Sequence, residues 1–385
     1  MARQGALRRG FGVVAVAAAV TMGTVTSAAA AGAQGGYGGH GSGGHGAHGA
    51  TRAAMAELVR AEGLPGTIAG VHEGDGSWSA AVGVADTASG QPRSPRERFR
   101  IGSVTKTFTA TVVLQLRAEG RLDLDDPVER WLPGVVRGNG NDGSAITVRQ
   151  LLGHTSGLFS FDEDPVMIQR LASPAFLVHR FDTYPPEELV RTALAHPPLF
   201  PPGTSRSYSN TNYLLAGMII GAVTGRPYAE AIEQRIVRPL GLSATTLPGT
   251  AVGLPRPHAL GYSKLFGGSP TPLETTELNP SWGGAAGEMI STTADLTRFY
   301  SALARGRLLP QAELDEMLPA AGGPGLGISS VRLGCGVTVW GHMGTIHGSS
   351  TVALTTRDGR HVAAFNTNAD WVEGERRLAE AEFCR

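Results

Sequence analysis

The apolar positions of this chain change rhythm twice. Short apolar runs at 67–72 and 78–84, joined by Glu73-Gly74-Asp75-Gly76, predict a β-hairpin. A helix over 51–60 precedes it and stops at Gly63-Leu64-Pro65-Gly66. From Val104 the spacing becomes four residues: Val104, Phe108, Val112 and Leu116 share one helical face, and Gly120 closes the segment. The middle of the chain stays helical or irregular. Thr147 is placed to cap a short helix over 148–152, which breaks at Gly153-His154-Thr155-Ser156-Gly157. Residues 212–224 read as a buried helix, 228–237 as another, and a capped helix starts near Thr293. After Gly325 strand patterns return at 327–333, 336–341, 350–355 and 361–366, with Asp358-Gly359 as a tight turn, and 371–383 reads as a helix.

Strands at both ends with helices between them predict an α+β fold. An antiparallel sheet is assembled from both chain ends, flanked by helices, with a mostly helical insertion. The α/β part covers about 51–105 and 290–385 and the helical part about 106–289, together one domain over 51–385.

Composition narrows the class. The 385 residues, 41% of them hydrophobic, suit one large domain or two intimately packed ones. A formal charge of +0 excludes a nucleic-acid footprint and a polyacidic tail. Residues 1–30 read as a signal peptide: Arg3, Arg8 and Arg9 precede an apolar run over 11–20, and Ser27-Ala28-Ala29-Ala30 offers small residues for cleavage. Arg8-Arg9-Gly10-Phe11 puts the twin-arginine route beside the general Sec route. No second apolar span follows, so the mature protein is expected to be secreted, with no stable membrane span. Residues 31–50 form a Gly/His-rich spacer; His40, His45 and His48 lie among glycines, and metal capture by them is the alternative to a flexible linker. Cys335 and Cys384 fit a single disulfide in an oxidising compartment, with two buried free thiols as the alternative.

Candidate chemistry starts where the four-residue rhythm starts. Ser103 and Lys106 are three residues apart at the head of the helix, so the hydroxyl and the ammonium share a face and can meet. A hydroxyl beside a desolvated lysine can become a nucleophile. The chain has only one other lysine, Lys264. Two further short signals follow in order, Tyr208-Ser209-Asn210 and His342-Met343-Gly344. Each is common alone, and a Ser-x-x-Lys is often an ordinary capped helix start. Their joint order carries the information.

On these motifs, and on the stretches 99–106, 146–158, 202–213, 281–287 and 341–348, the chain resembles the penicillin-recognising serine hydrolases. That family holds class C β-lactamases, related esterases and Streptomyces-type D-alanyl-D-alanine carboxypeptidases. The resemblance implies a β-lactamase/transpeptidase-like fold and a set of roles. Ser103 is the nucleophile that forms an acyl-enzyme. Lys106 and Tyr208 move its proton, with either a neutral lysine or a tyrosinate as base. Asn210 orients Lys106 and the substrate amide, and His342 supports the Tyr208 hydroxyl and the leaving group. Gly344 lets substrate lie along the strand edge. Backbone N–H groups of Ser103 and Thr345 form the oxyanion hole. Trp282 either walls the cleft or packs in the core. Cys335 and Cys384 fall where the carboxypeptidase type has its bridge.

The implied protein is an exported, monomeric D-alanyl-D-alanine carboxypeptidase-like hydrolase, acylated by penicillins. Its partner is a small peptide ending in D-Ala-D-Ala, or a β-lactam, with no cofactor, metal or nucleic acid. An esterase or class C-type β-lactamase on the same scaffold is the alternative. Two positions depart from the carboxypeptidase pattern. Met343 stands where a hydroxyl is usual, and Ser329 stands where an arginine grips the terminal carboxylate of D-alanine. Arg332 is the nearest guanidinium, at an odd offset that changes strand face.

Overall fold

The computed structural model describes residues 46, 48–319 and 323–385. The predicted signal peptide, His40 and His45 lie outside the described residues. Six antiparallel strands form the central sheet. One end of the chain supplies β1 (Gly66–Glu73) and β2 (Gly76–Gly83). The other supplies β3 (Ser329–Arg332), β4 (Thr338–Ile346), β5 (Ser349–Thr355) and β6 (His361–Thr367). Their order is β2-β1-β6-β5-β4-β3, so the two ends join where β1 meets β6, with Thr67 opposite Thr367 and Glu73 opposite His361.

The helices that place the site are α1 (Gly49–Glu62), α2 (Thr105–Ala118), α3 (Val148–Leu152), α4 (Asn210–Thr224), α5 (Gly284–Gly287), α6 (Thr293–Ala304) and α7 (Glu375–Phe383). Neighbouring strand residues point to opposite faces, which divides the core in two. Ala69, Val71, Val352 and Phe365 pack with Met55 and Leu58 of α1 and Leu378 and Phe383 of α7. Ile68, Ala353 and Val362 face the larger core, with the predicted face of α2 and with Leu296 and Phe299 of α6. There Phe108 stacks on Phe299 at 3.7 Å. Thr147 caps α3 as the sequence suggests, in a reciprocal capping box with Gln150.

Three boundaries differ from the sequence reading. The folded domain begins before residue 51: α1 starts at Gly49, and His48 is buried, stacked on Trp78 at 4.6 Å and 3.1 Å from Glu382 Oε2. The end of the predicted spacer is therefore part of the packed domain. Strand β4 continues through Ile346 and does not stop at Gly341. A Cβ built on Gly341 would lie 1.9 Å from the Ala353 carbonyl oxygen, so this glycine serves close strand approach and not termination. The last helix starts at Glu375, after Gly374, and not at 371. Cys335 and Cys384 are bonded, tying the β3–β4 turn to the end of α7. Among the described residues no helix is long and apolar enough to cross a membrane.

Candidate active site

Ser103 lies in a one-turn 3-10 helix, Gly102–Val104, between the short strand Phe99–Arg100 and α2. Strand β4 presses on this turn. A Cβ built on Gly344 would sit 2.1 Å from Ile101 O, 2.7 Å from Ser103 N and 2.8 Å from Val104 N. Gly344 is thus demanded by the turn that carries Ser103, a reason for glycine in addition to the expected room for substrate. Gly102 has φ +50 and meets the same seam from the other side, where its Cβ would lie 2.8 Å from Thr345 N. The amide nitrogens of Ser103 and Thr345 therefore lie along one seam, where an oxyanion hole would need them.

Lys106 follows one turn later and is fully buried. Its Nζ lies 3.1 Å from Ser103 Oγ, 2.7 Å from Asn210 Oδ1 and 2.8 Å from the Ala286 carbonyl oxygen. Asn210 is the first residue of α4 and Ala286 belongs to α5, so three helices converge on one amine. Burial lowers the lysine pKa to about 7, against the opposing pull of the Asp162 carboxylate.

Tyr208 precedes α4, and the Ser103 side chain bears on its phenol, drawing the pKa down against the larger push of burial. Its ring lies under Lys106 Nζ at 4.8 Å. Desolvation pushes the phenol pKa up, away from the tyrosinate. His342 on β4 has its ring 6.5 Å from that of Tyr208 and turns Nδ1 to the Met343 carbonyl. Burial, then the charge of Lys106, lowers its pKa to about 4, which leaves a neutral imidazole at pH 7.

Ser103, Lys106, Tyr208, Asn210, His342, Gly344 and Thr345 are thus brought together. Trp282 is half-buried and packs edge-on against His347 at 5.7 Å, beside an apolar cluster of Phe176, Leu265, Leu278 and Ile346. Ser329 pairs with Gly341, and Arg332 pairs with Thr338, further from the catalytic residues. Pairing with β3 ends at Gly341, and the edge of β4 from His342 onward is open on that side.

Three residues near the site escaped the sequence reading. Asp162 Oδ2 accepts from Asn210 Nδ2 at 2.9 Å, and its charge acts on Lys106. Arg206 is exposed, and its charge bears on Tyr208, His342 and His154. His154 packs behind Tyr208. Asp162 had no local signal, because it acts through a partner 48 positions away. The break at 153–157 was visible, but its purpose was not.

A serine touching a buried lysine and a tyrosine, set against the open edge of a sheet closed by both chain ends, defines a serine hydrolase of the β-lactamase fold. Residues 50–382 match the Beta-lactamase family model, and the chain belongs to that family. A D-stereospecific amidohydrolase from a Streptomyces species is 53% identical, with a TM-score of 0.83 over 88% of this chain and 98% of that one. The D-amino acid amidase of Ochrobactrum anthropi SV3, solved with L-phenylalanine amide, is 30% identical, with a TM-score of 0.74 over 86% and 97%. Esterase EstB of Burkholderia gladioli is 35% identical over 49% of each chain. The chain spans only 49–59% of the length of the first curated relatives it matches, penicillin-binding proteins among them.

Proposed function

We propose that the protein hydrolyses amides and esters of D-configured amino acids through an acyl-enzyme on Ser103. The observation that carries this reading is the charge pattern around the site. No guanidinium of β3 stands opposite His342–Thr345, while the Asp162 carboxylate stands beside Asn210 and Lys106. That pattern suits a substrate with a cationic amino end better than one ending in a carboxylate. The amidohydrolase and amidase relatives point the same way.

Lys106 is the base. A neutral amine has two N–H bonds and one lone pair. Asn210 Oδ1 and the Ala286 carbonyl accept the two protons, which leaves the lone pair for the Ser103 hydroxyl. The pKa near 7 supports that form, and the raised phenol pKa keeps Tyr208 protonated. Ser103 Oγ bonds the substrate carbonyl carbon as its proton passes to Lys106. The carbonyl oxygen takes the N–H groups of Ser103 and Thr345. When the tetrahedral centre collapses, Tyr208 donates its proton to the leaving amine or alkoxide and is reprotonated from Lys106. Neutral His342 steadies the leaving-group side. Water then repeats the sequence on the acyl-enzyme.

Release of a C-terminal D-residue is the second reading, favoured by the field of Arg206 at Tyr208 and His342. Rates on D- and L-phenylalanine amide, a diacyl-D-Ala-D-Ala peptide and a nitrophenyl ester separate the two. Fast D-amide and ester turnover with little peptide release is expected; the reverse order overturns the first reading. Acylation by penicillin is part of the proposal and is read as an intact-mass adduct on Ser103. Export of a monomer through residues 1–30 is also proposed, supported by the disulfide. Secretion of the full chain, but not of one lacking 1–30, tests it.

A further inference from the structure

We propose that His154 is a positioning residue that sets the orientation of the Tyr208 phenol; this rests on the reading of Tyr208 as proton donor to the leaving group. His154 is 4% exposed and lies in the break after α3. It holds Tyr208 at three points. Its carbonyl oxygen accepts from Ser207 N–H at 3.1 Å. Its Nδ1 accepts from Ser209 N–H at 3.2 Å. Its ring stacks on the Tyr208 ring, centroids 4.3 Å apart and planes 29° apart. One residue therefore fixes the backbone on both sides of Tyr208 and the face of its side chain.

This grip needs an unusual backbone. His154 has φ +58, in the left-handed region that few non-glycine residues occupy. A histidine serving only to fill the core has no use for that strain. The ring also leans on Tyr213 at 5.3 Å, and Lys106 Nζ lies above both tyrosines, at 4.8 Å and 5.5 Å. His154 thus packs against the same two tyrosine rings that the amine lies over. An acceptor at Nδ1 requires a neutral imidazole. Desolvation, then the charges of Lys106 and Arg206, hold the ring in that form, and His342, which also faces it, is neutral at pH 7.

Two substitutions separate the contacts. His154→Asn tolerates left-handed φ and keeps the backbone carbonyl, but removes the stacked ring. His154→Phe keeps a stacked ring and removes the Nδ1 acceptor. For His154→Asn we expect kcat on D-phenylalanine amide, per active site titrated with penicillin or a slow-deacylating ester, to fall about 10- to 100-fold, with KM within about threefold. Loss of the ring loosens the packing of the two tyrosines that lie against the amine, so water reaches Lys106 more readily and the acid limb of the pH–rate profile moves to higher pH. His154→Phe should retain more kcat than His154→Asn. A purely structural role would lower the melting temperature and the titrated fraction without moving kcat per site or the acid limb, and that result overturns the proposal. Should His154→Asn not fold, a native kcat per site and an unmoved limb in both His154→Phe and His154→Gln would overturn it equally. Ser103→Ala serves as the control: surviving turnover there rejects the reading of the site itself, whereas its loss beside an unaffected His154→Asn rejects only the role of His154.

Discussion

Gly344 and Ser103 are packed so closely that a Cβ on Gly344 would lie 2.7 Å from the Ser103 amide nitrogen. The strand fixes the height of the nucleophile turn. Gly344→Ala must move backbone, because the built atom also strikes Ile101 O at 2.1 Å. We expect a loss of at least about 100-fold in kcat/KM and roughly 1–3 kcal/mol of stability. Steady-state kinetics and thermal melting measure both, and native values in each would exclude the close seam.

With neutral Lys106 as the proposed base, kcat/KM should rise with pH through about 7. The Asp162 carboxylate favours the ammonium, so Asp162→Asn should lower the lysine pKa and shift the acid limb to lower pH. A pH–rate profile of the variant decides the matter; a limb displaced to higher pH contradicts the assigned electrostatics.

The Cys335–Cys384 bond closes a separation of 49 residues. In the chain-entropy picture a loop of that size contributes up to about 4 kcal/mol. Replacing both cysteines by serine should lower the denaturant midpoint clearly while leaving kcat near native, since the bond lies outside the catalytic group. Urea melts of the double variant, with the native protein in reductant as a second arm, test this.

Glu375 offers a signed pH effect on stability. Burial, and then the like charges of Glu62 and Glu373, raise its pKa from 4.5 to about 7. The folded chain therefore holds a proton that the unfolded chain gives up. Stability falls as pH rises from about 4.5 to about 7 and stays reduced above that. Glu375→Gln should raise the melting temperature by about 2–4 °C at pH 8 and leave it unchanged near pH 4. Equal shifts at the two pH values would remove this account.

The sequence made visible what is local or periodic. The four-residue rhythm of α2 reports a fully buried face, and strand patterns at both ends imply the join of β1 with β6. Ser103 and Lys106 were legible because three residues on one helix impose their meeting. Tyr208, Asn210 and His342 carry no such local constraint; their motifs stood out by order, and their roles came only through the family resemblance. Asp162, Arg206 and His154 were missed because their effect depends on which loops pack together. Glycine misled once, since Gly341 looked like a strand end, and at Gly344 the close approach of neighbouring backbone was not legible. The carboxypeptidase expectation also depended on where one guanidinium falls. The register that puts Arg332 opposite Thr338 could not be read from periodicity.

The sheet order also has a consequence for how the protein is made. The hairpin β1–β2 leaves the ribosome early, yet its partner β6 lies at the far end of the chain, Thr67 waiting for Thr367. Until then one edge of the hairpin has no neighbour, a feature that invites association between unfinished chains. The helix bearing Lys106 is also synthesised long before Gly344 and Thr345 can close on Ser103. A half-synthesised chain thus has its nucleophile but not the strand that organises it. The hydrolase stays chemically silent during its own translation and becomes competent only when the last strands join the sheet.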